Sequence, residues 1–346
     1  DSHALIFRRA RSGQSAPEAL DVGAFAARVR GWQFDDEEPD RFGATRLLRA
    51  VRLLPTRRLA PLGRLNAARL LELLGAVDAA RELASEAAAL APDSPLVLRT
   101  LADLEQYHGD PKRAAKLWAE LAVRMPRDPL PLVKQGLLAL KHGRPREAVR
   151  HFQAATARDP DSQLARENLL TAWEVAGDPV ELRRALAATK AISGGKRAYF
   201  LGSAAHLEGD LAYAEEHFAQ AVERDPQLIP AWSLLAQVLG ERDKLGEAEA
   251  AWARLGALSP RDGSVWRALG ETRRRRLNIE GALRAWGRAI DVTPSDMKAL
   301  LDSAEALLGL DRPKEALGLV RRVLDTSRGN KRALRLYERA TLEDHD

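Results

Sequence analysis

Residues 263–296 read GSVWRALGETRRRRLNIEGALRAWGRAIDVTPSD, and nearly every feature of this stretch returns elsewhere in the chain at a fixed interval. Trp266 precedes Leu269 and Gly270, Ala282 precedes Trp286 by four residues, and Pro294 closes the segment. Pro92, Pro126 and Pro160 lie 34 residues apart, as do Pro226, Pro260 and Pro294. The gap of 66 between the two sets is two periods less two residues, so one repeat in between is shortened. Twelve residues before each proline stands Ala80, Ala114, Ala148, Ala214, Ala248 or Ala282. Four residues after these come Trp118, Phe152, Phe218, Trp252 and Trp286, with Ala84 the exception. A small residue followed one helical turn later by a large one, on the same face, lets two helices lean together with the ring filling the space beside the contact.

Between these landmarks the punctuation is that of paired helices. Gly75, Gly109-Asp110, Gly143, Gly177-Asp178 and Gly209-Asp210 fall midway through each period, where a glycine in the left-handed conformation ends one helix and an aspartate caps the next. Asp159-Pro160, Asp225-Pro226 and Ser259-Pro260 stop the second helix, which proline cannot continue. Trp232 with Leu235, and Trp266 with Leu269 and Gly270, follow the order W-x2-L-G, and Gly136 and Gly202 occupy the place of Gly270.

On these residues the chain resembles the tetratricopeptide-repeat family, whose helix–turn–helix unit carries W-x2-L-G-x2-Y, then Ala-x3-Phe, then Pro. The resemblance implies an all-α, right-handed superhelical solenoid of antiparallel helix pairs. Eight units are expected at 61–94, 95–128, 129–162, 163–194, 195–228, 229–262, 263–296 and 297–330. The fourth has no closing proline and ends in Ser193-Gly194-Gly195, where a looser junction or hinge is conceivable. Residues 331–346 read as a C-terminal capping helix with Leu334 and Tyr337 inward. Residues 1–16 read as a flexible lead-in and 17–60 as a degenerate helix pair capping the first unit, with an acidic loop at 35–40.

Composition narrows the chemistry. The 346 residues hold no cysteine, which excludes a thiol nucleophile, a disulfide framework and thiolate-bound zinc or iron–sulfur centres. The longest charge-free run, Pro226–Gly240, has 15 residues against roughly 20 for a membrane-spanning helix. Asp1 in place of Met leaves room for a signal or anchor removed ahead of it, and a periplasmic or membrane-tethered setting is favoured over a cytoplasmic one. Basic residues number 54 against 49 acidic ones, too small an excess to demand a nucleic-acid partner. Two arginine tracts are candidates for a polyanion nevertheless: Arg41 to Arg69, which contains no acid, and Arg273 to Arg276. An intramolecular or solvated role suits both better.

No constellation of an enzyme is present. HExxH, GxGxxG and Gly-x-Ser-x-Gly are all missing, and Gly194-Gly195-Lys196 is followed by Arg197 where a phosphate loop needs Ser or Thr. His108, His142, His151 and His217 stand apart, with no metal-ligand spacing. No catalytic residue, metal or cofactor is therefore assigned. Six of the seven tryptophans take packing positions of the repeat, Trp118, Trp252, Trp286, Trp232, Trp266 and Trp173, leaving Trp32 unassigned.

What the family resemblance implies for function is binding: the first helices line a concave groove, and their outward stripes meet a protein or peptide partner. In 95–128 the stripe is Arg99, Asp103, Gln106 and Tyr107; in 163–194, Glu167, Thr171 and Glu174. In 195–228 it is Lys196, Tyr199, Ser203 and His206; in 229–262, Ser233, Gln237 and Glu241. In 263–296 it is Arg267, Glu271, Arg274 and Arg275, followed by Lys298 in the next unit. The bland alternative is that Arg99–Asp103 and Arg267–Glu271 are solvated i,i+4 ion pairs. If the stripe is free, replacing Tyr199 and Arg267 by alanine weakens capture without changing stability. Chaperone-docking members grip a carboxylate with Lys and Asn, which Arg99/Asp103 and Arg267/Glu271 replace, so a chaperone tail is not the expected ligand. The expected role is a non-catalytic scaffold holding an extended peptide or helix, in a bacterial multi-protein assembly by its Arg- and Ala-rich composition. A polyanion-binding module and a regulatory domain of a larger enzyme or membrane protein are the alternatives.

Overall fold

The computed structural model describes residues 61–189 and 191–343, and among them there is no strand. The expectations placed on 1–60, among them the lead-in, the capping pair, Trp32 and the arginines of 41–58, lie outside the described residues. The chain divides into two units, 1–168 and 169–346. The first contains α1 (Pro61–Leu73), α2 (Val77–Leu90), α3 (Pro95–His108), α4 (Pro111–Arg124), α5 (Leu130–Lys141) and α6 (Pro145–Arg158), and the division falls within α7 (Gln163–Val175). The second continues with α8 (Pro179–Ala188), α9 (Gly194–Glu208), α10 (Leu211–Arg224), α11 (Ile229–Glu241), α12 (Leu245–Leu258) and α13 (Gly263–Arg275). It ends with α14 (Ile279–Val292), α15 (Met297–Gly309), α16 (Pro313–Thr326) and α17 (Lys331–Glu343).

Local chemistry starts and stops these helices. The Asp110, Asp178, Asp210, Asp262 and Asp296 side chains accept backbone N–H groups in the first turns of α4, α8, α10, α13 and α15. Gly75, Gly143, Gly177 and Gly209 take φ of 77°, 69°, 70° and 82° between paired helices. The same turn is kept without glycine at Asp243, Leu277 and Asp311, with φ of 59°, 62° and 59°. Gly109 departs from expectation, with φ −133°. Its need for glycine is steric, because a Cβ there would run into the Glu105 carboxylate and the Arg81 guanidinium, at 2.6 Å from Nε of the latter.

In three pairs, α5–α6, α9–α10 and α13–α14, the helices meet where the first helix has no side chain and the second has a ring. A Cβ at Gly136 would lie 2.5 Å from Phe152, one at Gly202 2.8 Å from Phe218, and one at Gly270 would strike the Trp286 indole. Sequence reasoning placed Ala282 beside Trp286; the closer approach is made by Gly270 on the facing helix. Trp118, Phe152, Phe218 and Trp286 are fully buried, and Trp252 and Trp266 nearly so. Trp173 and Trp232 are half-buried against the core clusters. In the shortened unit, two leucines, Leu170 and Leu186, share one cluster.

Neighbouring pairs are then tied together through charge. Glu215 on α10 receives Arg242 and Lys244 from the end of α11 at 2.5 and 2.6 Å, and Glu249 on α12 receives Arg273 at 2.9 Å together with Arg276. In the first unit the fully buried Glu105 takes Arg81 at 2.9 Å, Arg113 at 2.8 Å and the Asp110 N–H at 2.9 Å. The short α8 ends on Arg197, whose guanidinium donates to the Thr189 carbonyl at 2.5 Å, a cation on the negative end of a helix. In α17 the inward residues are Ala333, Leu336 and Ala340, with Tyr337 packed beside them. Leu334, expected inward, is 42% exposed, because the buried face runs through 333, 336 and 340 and carries 334 off its edge.

Leu277 holds a left-handed turn with an 85% exposed side chain that contributes almost no packing. Since that conformation costs a Cβ-bearing residue about 1–2 kcal/mol, Leu277→Gly is expected to stabilise the protein by a fraction of that after the entropy of glycine is deducted. A higher urea midpoint is the expected result, and a lower one would contradict the assignment of strain.

Candidate functional site

In the second unit the polar side chains of successive first helices are brought into sequence, but they are not equally free. Glu174 on α7 is mostly buried and accepts the Tyr199 hydroxyl at 2.7 Å and the Ser203 hydroxyl at 2.6 Å, both on the same oxygen. Burial outweighs those two hydrogen bonds and holds the Glu174 carboxyl above the usual carboxylate range. The same burial, with the carboxylate beside it, pushes the Tyr199 phenol up. Ser203 is 2% exposed, and the Tyr199 ring lies 5.0 Å from Phe200 and 6.0 Å from Phe218. Tyr199 and Ser203 are thus structural in part, which corrects the expectation that they stand free.

Further along the wall, His206 faces Glu241 of α11 at 3.5 Å, and Gln237 donates to the Ser233 hydroxyl at 3.2 Å. Arg267 does not pair with Glu271 along its own helix. It reaches Asp296 at 2.7 Å, whose side chain is 8% exposed and caps α15, so Arg267→Ala would strand a buried carboxylate. Glu271 instead takes Arg274 through both oxygens at 2.6 and 2.9 Å, which holds the Glu271 carboxyl below its ordinary range. Arg275 turns away to Asp243 and the Gly240 carbonyl. Lys298 is exposed, and together with Glu271, Arg274, Asp302, Glu305 and Arg332 it surrounds a groove of about 450 Å3. Asp302, Glu305 and Arg332 were not among the residues singled out from sequence, although Asp302 and Glu305 continue the i, i+4, i+7 spacing from Lys298. Lys196 is half-buried at the start of α9, with its backbone N–H on the Ser193 hydroxyl.

The first unit arranges its candidates differently. Asp103 pairs with Lys134 of α5 at 2.6 Å rather than with Arg99, which is exposed. The Lys134 ammonium also stands 5.2 Å from the Tyr107 ring centroid and 5.5 Å from that of Trp118. Gln106 is removed from the stripe altogether: it is 7% exposed and accepts the Trp118 indole N–H at 2.8 Å. Its position looked outward by spacing, but an indole buried from the second helix needs an acceptor. Glu167 receives the Gln163 amide at 2.8 Å, and Thr171 is half-buried on α7.

The four arginines 273–276 are all bound within the protein, to Glu249, Glu271, Asp243 and backbone carbonyls. Of the other tract, Arg64 donates to Glu86 at 3.2 Å and Arg69 to the Thr100 hydroxyl at 3.2 Å. Burial holds the pKa of His151 and His217 below the ordinary histidine value. Among the described residues no group of three His, Asp or Glu could hold a metal ion, and no helix is long and apolar enough to cross a membrane.

A family model for the tetratricopeptide repeat matches residues 133–195 and 267–331. No curated protein sequence matches the chain. Among solved structures, the chain is similar to one in the APC/C hetero-tetramer Cut9–Hcn1, at 16% identity and TM-score 0.52 over 76% of this chain and 52% of that one. It therefore spans about half the length of that relative. YrrB, described as a tetratricopeptide-repeat protein with an unusual peptide-binding site, aligns at 20% identity and TM-score 0.37 over 54% of this chain and 97% of that one.

A carboxyl whose pKa is raised in the folded state favours folding at low pH, and that benefit is lost as pH rises through the folded pKa. Glu174→Gln, which keeps an acceptor for Tyr199 and Ser203, is accordingly expected to be more stable than the parent at pH 7, with the advantage vanishing below the ordinary carboxylate range near pH 4. Thermal melts at the two pH values measure it, and an equal difference at both would contradict the assigned cause.

Proposed function

The chain is a tetratricopeptide-repeat protein, and from that premise we propose that it is a non-catalytic scaffold that holds an extended peptide or helix of a protein partner along the first helices of its C-terminal unit. One contrast carries the reading. The six tryptophans of the described residues are packed against core or backbone, whereas Glu271, Arg274, Lys298, Asp302, Glu305 and Arg332 stand around an open groove. Mixed charge at short spacing suits a polypeptide, which offers carbonyls, N–H groups and side chains of both signs. Lys298 and Arg274, with His206 and Gln237 at the near end, are the residues assigned to contact. Tyr199, Ser203 and Arg267 shape the wall from behind.

The reading as a polyanion module is weaker, because three carboxylates, Glu271, Asp302 and Glu305, line the same groove as Arg274, Lys298 and Arg332 and would repel a polyanion. A bacterial multi-protein assembly remains the setting that the composition favours.

Lys298→Glu combined with Arg274→Glu is expected to weaken capture of the native partner, identified by cross-linking in extract, by about tenfold or more, while the melting temperature stays within a few degrees. Capture by the double variant at parental affinity would reject the groove. A log-affinity slope on log salt of about −0.9 per phosphate, set by nucleic acid, would favour the rival reading.

A further inference from the structure

The leading helix α1 departs from the burial pattern of the helices that repeat it. In the first helices α3, α5, α7, α9, α11 and α13 the tenth residue of the repeat is Leu104, Leu138, Ala172, Ala204, Val238 or Thr272, and all six are buried. Leu104 shows what this place does: with Leu101 it shares a cluster with Ala80, Leu83 and Ala84 of α2, so it seats α3 on the pair before it. Val97 does the same through Ala87. One period earlier, α1 carries Gly63, Ala67 and Leu70 at the places of Val97, Leu101 and Leu104. Gly63 and Ala67 are half-buried there, and Leu70 is 41% exposed. Leu73, 84% exposed, belongs to a different face, because its counterpart Tyr107 is exposed as well.

A terminal repeat normally turns a polar face outward, as α17 does with Arg335, Glu338 and Arg339. On α1 the corresponding face is apolar, and the chain immediately before it supplies a matching stripe. Leu47, Ala50, Val51 and Leu54 reproduce, 33 residues earlier, the spacing of Ala80, Leu83, Ala84 and Ala87, which are the four buried residues of α2. Sizes are exchanged across the two contacts. Where Ala87 meets Val97 and Ala84 meets Leu101, the earlier positions pair Leu54 with Gly63 and Val51 with Ala67, so a large residue again faces a small one. Residues 55–60 between the stripe and α1 are a connection of ordinary length for antiparallel neighbours.

We propose that the exposed face of α1 is the docking site of residues 45–54 of this same chain, which lie on it as an antiparallel helix in the place that α2 takes on α3. Leu54 meets Gly63, Val51 meets Ala67, and Leu47 covers Leu70. The segment thereby withdraws the leading edge of the stack from other chains, since an apolar end left open would pair with a second copy head to tail. Tethering favours the intramolecular partner, because a short connection holds it at a high effective concentration.

The chain contains no cysteine, so a thiol introduced at one position reports on that position alone. In the full chain, Leu70→Cys is expected to react with a maleimide at least about tenfold more slowly than Leu73→Cys, beyond the roughly twofold that their exposures alone would give. Adding Leu47→Asp and Val51→Asp should bring the two rates to within about threefold while a cooperative melt is retained. A second measurement needs no disruptive substitution: Leu47→Cys with Leu70→Cys, treated with a short bismaleimide, should form a bridge within one chain that runs as a monomer on a denaturing gel. Equally fast labelling at positions 70 and 73 in the otherwise unaltered chain would overturn the proposal, as would protection of position 70 that survives the two aspartates. Bridges formed between chains would overturn it in favour of a second copy as the occupant.

Discussion

The contact on which the rest depends is the one between a bare stretch of first-helix backbone and a ring from the second helix. Gly136 with Phe152, Gly202 with Phe218 and Gly270 with Trp286 each leave no room for a methyl group. Close-packed interiors transmit such a constraint, because neither helix can shift without opening a void or forcing a clash. Where another residue takes the glycine's place the companion varies: Leu170 and Leu186 share the cluster of the shortened unit, Ala102 and Ala236 still accompany the rings of Trp118 and Trp252, and Ala304 accompanies Val320.

Spending the rings in this way determines what is left to act. Binding must rest on charged and hydroxyl side chains, and the structure divides these into two sets. Glu105, Glu215 and Glu249 each gather two basic side chains and join elements within their own unit. Lys298, Arg284, Arg288 and the residues around the 450 Å3 groove of α13, α15 and α17 stand at the surface. Trp266 is packed on Gly256, with the Arg288 guanidinium 4.5 Å from its ring centroid.

Much of this was legible in the sequence because it repeats. Period, aspartate caps and proline stops are local signals, and Asp110, Asp178 and Asp210 cap as their spacing implied. The side-chain partners were less legible, since they are chosen between helices rather than along them. Arg99 and Arg267 have acids four residues on, yet Asp103 goes to Lys134 and Arg267 to Asp296, each about one period away in the chain. Gln106 lies on an outward stripe by counting, and only the arrival of the Trp118 indole turns it into a buried acceptor. Gly109 looked like another left-handed turn, whereas the side chains of Arg81 and Glu105 occupy the space its Cβ would need.

The central claim, that glycine and ring are one size-matched unit, is tested most directly by a double-mutant cycle on Gly270 and Trp286, read by urea unfolding. Gly270→Leu alone should destabilise, Trp286→Leu alone should destabilise, and the double variant, which reproduces the leucine pair of the shortened unit, should recover about 1–3 kcal/mol relative to the sum of the two. Strict additivity of the two losses would contradict the account.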